Sequence, residues 1–155
     1  METMSIEHLL ERVTLTSIPA SERMKALCSI EACATAANAD LLERTLTAVL
    51  YHDTNPIVRH EAAFILGKLY KAQRISGKRA LIALCEAADS DESVIVRHEA
   101  LEALGAFPHQ RALYALHKAL SDPSADVIAT AVISLHIQTS RHDTDGALPG
   151  VGRTD

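Results

Sequence analysis

The amino-acid sequence predicts an all-α fold, an α-solenoid of about four stacked helical hairpins. Three observations predict it: the chain repeats itself internally, its composition favours helix, and the stretches between the repeated segments carry apolar residues at helical spacing. Of 155 residues, 48% are hydrophobic but only 3% aromatic, so aliphatic and small side chains must build the core. Alanine and leucine dominate, and both are strong helix formers. Runs of β-branched residues with period-two alternation, the mark of a half-buried strand, are scarce. The length suits a single domain.

The repeat is legible directly. Residues 53–67 read DTNPIVRHEAAFILG and residues 91–105 read DESVIVRHEALEALG, 38 positions on (91 minus 53). Asp, Ile-Val-Arg-His-Glu-Ala, Leu and Gly recur in register. A weaker copy over 122–135, DPSADVIATAVISL, aligns Val127 with Val96 and places Ala129 and Thr130 where His98 and Glu99 stand. Another over 21–34, SERMKALCSIEACA, aligns Arg23 with Arg59 and has Met24 and Lys25 at the His-Glu positions. Two marked repeats flanked by two degenerate ones suit a stack whose end units act as caps.

The elements follow in order. Residues 4–16 form a helix of the first cap, and 21–34 its partner. Residues 39–52, 77–88 and 109–120 are further helical stretches between the marked helices, the first of which lies near 56–70, so the unit is helix, short turn, helix. Asp53, Asp91 and Asp122 stand at the turns; Pro56, Pro108 and Pro123 stand at turns or first helical positions, where proline is tolerated. Arg59 and Arg97 each follow a turn aspartate by six residues (59 minus 53, 97 minus 91), which predicts an Asp–Arg ladder tying repeat to repeat. Gly67 and Gly105 predict a close helix approach or a helix end. Residues 1–140 are expected to form the repeat domain. The segment 141–155, RHDTDGALPGVGRTD, loses the periodicity and gains Gly, Pro and Asp, as expected of a disordered tail.

Composition excludes several roles. The net charge of −5 and the lack of a basic stripe argue against nucleic acid as a partner. No apolar stretch approaches membrane-spanning length. The opening Met1-Glu2-Thr3-Met4-Ser5 is polar and acidic, unlike a secretory leader, so a cytoplasmic setting is expected. Cys28, Cys33 and Cys85 are too few and too irregular for a disulfide framework and are expected to be small buried hydrophobes.

The chemistry-bearing feature is the repeated pair His60-Glu61 and His98-Glu99. At about 100° per residue, Val58, Ala62, Ile65 and Leu69 form the packing stripe of the first marked helix, and His60 and Glu61 fall away from it. In the second copy Val96, Ala100, Ala103 and Phe107 form the stripe, and Ile95, His98, Glu99 and Glu102 fall away. A solvated polar pair is the ordinary reading of His and Glu on an outward helix face. Recurrence of the same pair at equivalent positions favours metal ligands, because exposed positions drift fastest between duplicated units. Adjacent helices pack about 8–10 Å apart, which lets both imidazoles approach a shared ion with carboxylates at its flanks. Imidazole plus carboxylate with open positions suits non-haem iron or manganese better than structural zinc. Glu102 is a possible extra ligand, but Phe64 takes its place in the first copy. An acidic rim at Glu86, Asp89, Asp91 and Glu92 would suit a cationic substrate, or is simply a solvated turn.

At VRHEAAFILG and VRHEALEALG the sequence resembles deoxyhypusine hydroxylase, a family of HEAT-like repeats with His-Glu motifs in this setting. The wider pattern is shared with phycobilin lyase subunits and with scaffold HEAT proteins; the His-Glu pair separates them. The resemblance implies a hydroxylase or monooxygenase with a di-iron centre between two homologous halves, acting on a modified lysine of a protein. His60, Glu61, His98 and Glu99 match the set of one half. Two octahedral irons need about twelve coordination positions, so one chain offers half of such a site, and a homodimer or a similar HEAT chain is expected to supply the rest. The substrate is then a peptide lysine derivative or a small molecule. The competing readings are a non-enzymatic interaction scaffold and a relative of the phycobilin lyases.

Overall fold

The computed structural model describes residues 5–145, all of its regular structure helical. The helices are α1 (Ile6–Thr14), α2 (Ala20–Ala32), α3 (Ala39–His52), α4 (Pro56–Lys71), α5 (Lys78–Ser90), α6 (Val94–Leu104), α7 (Gln110–Lys118) and α8 (Ala125–Asp145). They pair as four successive hairpins. The first helices α1, α3, α5 and α7 pack in order in one layer, and α2, α4, α6 and α8 in the other. The core between the layers is almost wholly Leu, Ala, Val and Ile. Close packing of small residues lets neighbouring helices of the second layer approach: a Cβ on Gly67 would come within 2.7 Å of the Ala103 Cβ across α4 and α6.

Local signals explain the ends. Asn55 caps α4, accepting from the Ile57 amide at 2.9 Å, and Pro56 occupies the first helical position, where its missing N–H costs nothing. His109 caps α7 through Nδ1, which accepts from the Arg111 amide at 3.1 Å. Residues 79–84 (RALIAL) and 111–116 (RALYAL) align at an offset of 32 (111 minus 79), whereas the turn aspartates Asp91 and Asp122 are only 31 apart. The short 3₁₀ helix Ala119–Ser121 absorbs the missing residue.

The predicted ladder is present and complete. Arg23 pairs bidentately with Asp53 (2.7 and 2.8 Å), Arg59 with Asp91 (both 2.8 Å) and Arg97 with Asp122 (2.8 and 3.1 Å). Arg59 and Arg97 also donate to the backbone carbonyls of Asp53 and Asp91, each at 2.9 Å. Every ladder aspartate in turn accepts from the amide two residues on, at Asn55, Ser93 and Ser124. One residue type thus shapes its own turn and clamps the preceding repeat.

The segment 72–77 that lengthens the second repeat is pinned by a residue the sequence did not advertise. Glu43, 2% exposed, accepts from the amides of Gly77, Arg79 and Ala80 and from the Ser76 hydroxyl, and so caps α5, which lacks a capping side chain of its own. Gly77 is left-handed (φ 77°), and the stacked rings of Tyr70 and Phe107 leave no room for a Cβ there.

Two expectations meet the structure differently. Cys28 and Cys33 are exposed rather than buried, whereas Cys85 is half-buried and packs against the core. The reason on α2 is that Arg23, Ala26, Leu27 and Ile30 take the inward face, which leaves Cys28 outside, while Cys33 follows the helix end. Helix α8 runs through Asp145, past the expected domain boundary at 140; residues 146–155 of the expected tail lie outside the described residues. Among the described residues no helix is long and apolar enough to cross a membrane.

Candidate metal centre

The marked segments lie on α4 and α6, neighbours in the second layer. Their stripes are buried as the spacing predicts: Val58, Ala62, Ile65 and Leu69 on α4, and Val96, Ala100, Ala103 and Phe107 along α6 and its end. His60, Glu61 and His98 are half-buried, and Glu102 is exposed.

Glu99 departs from the outward placement. It is only 7% exposed, because the flank of α6 that carries it faces α4 rather than solvent. There its Oε2 lies 3.2 Å from His60 Nε2. Burial first, then the nearby Glu102 charge, push the Glu99 carboxyl up from 4.5 to about 7; Glu61 adds to the rise, and His98 and Lys71 oppose it. A buried carboxyl hemmed in by two further carboxylates and touching an imidazole is short of positive charge.

The next gap repeats the geometry with a different partner. Thr130, at the register of Glu99, meets His98: Oγ1 lies 2.7 Å from Nδ1. The same hydroxyl donates to the Asp126 carbonyl at 3.0 Å. In the tautomer protonated at Nδ1 the oxygen accepts that N–H, and Nε2 is then the nitrogen left for a ligand. Nε2 stands 3.7 Å from Glu102 Oε2. Thr130 had no role in the reading of the sequence; its alignment with Glu99 was the available signal.

The structure brings His60 together with Glu99, and His98 with Glu102, the possible extra ligand, rather than gathering two imidazoles around one ion; Glu61 stands outside both pairs. Among the described residues no group of three or more His, Cys, Asp or Glu is arranged to hold a metal. The donor types fit a hard or borderline cation, and their number fits part of a site. The acidic rim is largely committed within the fold: Asp91 to Arg59, Asp89 to Lys118, and Glu86 to Tyr51, whose hydroxyl is pushed up to about 12 by burial and by that bond.

Comparison with known proteins places the repeat array among HEAT-repeat proteins. Residues 81–149 match the HEAT repeats family. Deoxyhypusine hydroxylase-B of Oryza sativa is 30% identical over 139 residues, which cover 89% of this chain and 43% of the rice protein. Deoxyhypusine hydroxylase of Arabidopsis thaliana is 34% identical over 128 residues, 82% of this chain and 38% of that protein. The structure of human deoxyhypusine hydroxylase in complex with glycerol superposes with a TM-score of 0.72 at 26% identity, over 90% of this chain and 45% of the human one. The chain spans less than half the length of these relatives. The protein is an α-solenoid of HEAT repeats. Within that class it is deoxyhypusine hydroxylase-like, and it resembles one half of that enzyme.

Proposed function

We propose that the chain is a metal-binding HEAT-repeat protein that works as a non-haem iron hydroxylase when a second chain, a copy of itself or a similar array, completes its site. The observation that carries this reading is the His60–Glu99 contact at 3.2 Å, made between the two recurrent positions of neighbouring repeats, at a carboxyl already raised to about 7. His60, Glu61, His98 and Glu99 supply the ligands of one half, with Glu102 beside His98 Nε2. Iron, when bound, supplies the activation of dioxygen and an acceptor for electrons from the substrate C–H bond. The chain's own residues hold and orient: Thr130 fixes the His98 ring, and α4 keeps Glu99 out of water. The substrate is a peptide lysine derivative or a small molecule.

The second chain has a surface to meet. Ile57 (55% exposed), Phe64 (38%) and Ile95 (44%) flank the donors at helical spacing, and exposed apolar patches mark interaction sites. A scaffold without chemistry is the second reading, and the exposed apolar side chains beside the donors would serve it equally. Anaerobic reconstitution with Fe(II) separates the two. Iron should bind with dimer formation, each of His60→Ala and His98→Ala should lower the iron content, and the double variant should bind none. A wild-type chain that stays monomeric and iron-free, or a double variant that keeps its iron, leaves the scaffold reading standing.

A further inference from the structure

The two ends of the stack differ in chemistry. The first hairpin, α1 and α2, is charged outside: Glu7, Glu11 and Lys25 are exposed, and Arg12 pairs with Glu22. At the other end, α8 turns a flank away from α6. At about 100° per residue that flank carries Ile128, Ala129, Val132, Leu135, His136 and Thr139, with no fixed charge.

The repeat register shows that this flank is of a kind the fold elsewhere covers. Val132 stands where Ala63 and Leu101 stand (63 plus 38, 101 plus 31). Ala63 and Leu101 are both 0% exposed, whereas Val132 is 53% exposed. The cover comes from the next helix of the layer: Gly67, one turn past Ala63, meets Ala103, and Gly105, one turn past Leu101, meets Ser134. Leu135 is half-buried where Leu66 and Leu104 are fully buried, and Leu120, in the 3₁₀ helix packed beside α8, is 38% exposed. End units of a solenoid are kept soluble by a polar outer face, and this one has an apolar face instead.

Two substitutions show that the flank does not prepare for another repeat. Ile128 stands at the register of Arg97 (128 minus 97 is 31), so no guanidinium reaches for a following turn aspartate. His136 stands at the register of Gly67 and Gly105, so a further helix cannot approach as α6 approaches α4.

We infer that this flank of α8 is an interface between two copies of this chain, packed α8 against α8 about a twofold axis. A twofold sets one patch against itself, so the apolar face meets an apolar face. Head-to-tail stacking would press it onto the charged first hairpin, where Lys25 and the glutamates would lose water without gaining partners. The contact lies one helix beyond His98 and is separate from the surface at Ile57, Phe64 and Ile95. It does not depend on whether the His-Glu residues bind metal.

The test is sedimentation equilibrium of the full chain after chelator treatment. The wild type should be a dimer. Val132→Lys should weaken it about a hundredfold with unchanged helical circular dichroism, because the twofold buries the new charge twice. Phe64→Lys should leave it unchanged. Mixing Val132→Lys with Val132→Glu should restore association to within about tenfold of the wild type, since opposite charges then meet near the axis. That recovery also shows that both variants are folded. A monomeric wild type, a dimer that survives Val132→Lys, or a mixture no tighter than either variant alone would overturn the interface. Loss of the dimer in Phe64→Lys instead would move the contact to the donor face. The Val132→Lys chain leaves any iron-linked association through the donors to be read alone, so the two surfaces fail or stand separately.

Discussion

Two rows of side chains recur along the second helices, one residue apart: Arg23, Arg59 and Arg97 in one, and Met24, His60 and His98 in the next. The arginine row closes on itself. Each guanidinium meets both carboxylate oxygens of the following turn aspartate, and the geometry repeats to within tenths of an ångström. The histidine row does not close. His60 faces a buried carboxyl with a raised pKa, and Thr130 engages only Nδ1 of His98, which leaves Nε2 for another partner. Recurrence alone marks both rows equally. What separates stability from chemistry is whether the fold uses up the hydrogen-bonding capacity of the recurring group.

The largest expected effect lies on the ladder. Arg59→Met removes the counter-charge of Asp91, whose side chain is 10% exposed, and orphans the Asp53 carbonyl. Breaking one side of such a pair costs about 3–5 kcal/mol, read as a lower urea midpoint by circular dichroism. His60→Ala, one residue further on, should change stability by less than about 1 kcal/mol. Equal losses from the two variants would erase the distinction between the rows.

The two rows should also titrate in opposite senses. Asp122 is held below the ordinary carboxylate range first by its bond from Arg97, so its contribution is present above that range and is lost as pH falls through its lowered pKa. Glu99 is raised from 4.5 to about 7, so the folded state binds more protons than the unfolded state between those values. Its contribution is present below 4.5 and is lost as pH rises through about 7. In chelator-treated protein Glu99→Gln should therefore flatten the fall, and exceed the wild type at pH about 8 by roughly 2 kcal/mol. Parallel urea profiles for the two proteins would mean that Glu99 carries no burial penalty.

The sequence made the repeat period, the turn aspartates and the ladder legible because each is a short-range signal that occurs more than once. The helical wheel of α4 and α6 also placed every stripe residue correctly. It misplaced Glu99 because a wheel knows one core face, whereas an inner helix of a layered stack has covered flanks as well. Glu43 was unreadable for a related reason: its partners lie over thirty positions away, and nothing local marks a glutamate as a cap for another helix. Cys28 and Cys33 were misjudged from residue type alone, since Ala, Leu and Ile filled the inward positions of α2 first. Of the candidate site, His60, Glu61, His98 and Glu99 were visible as recurring letters, but that His60 meets Glu99 while His98 meets Glu102 depends on which flank faces which neighbour.

The smallest stability effect should come with the most specific signature. Thr130→Val keeps the shape of the side chain and deletes the oxygen that accepts His98 Nδ1–H, at a cost of about 1 kcal/mol. Glu102, 3.7 Å from Nε2, then draws the proton toward that nitrogen. Nitrogen-15 NMR of the metal-free wild type should show His98 protonated at Nδ1, the valine variant should show a mixture, and Thr130→Ser should restore the single form. If the chain binds iron as proposed, the valine variant should also bind it about 10–100-fold more weakly, the usual effect of losing a ligand's orienting partner. A wild-type His98 already mixed in tautomer would mean that Thr130 only fills space, and the histidine row would then lose its clearest difference from ordinary packing.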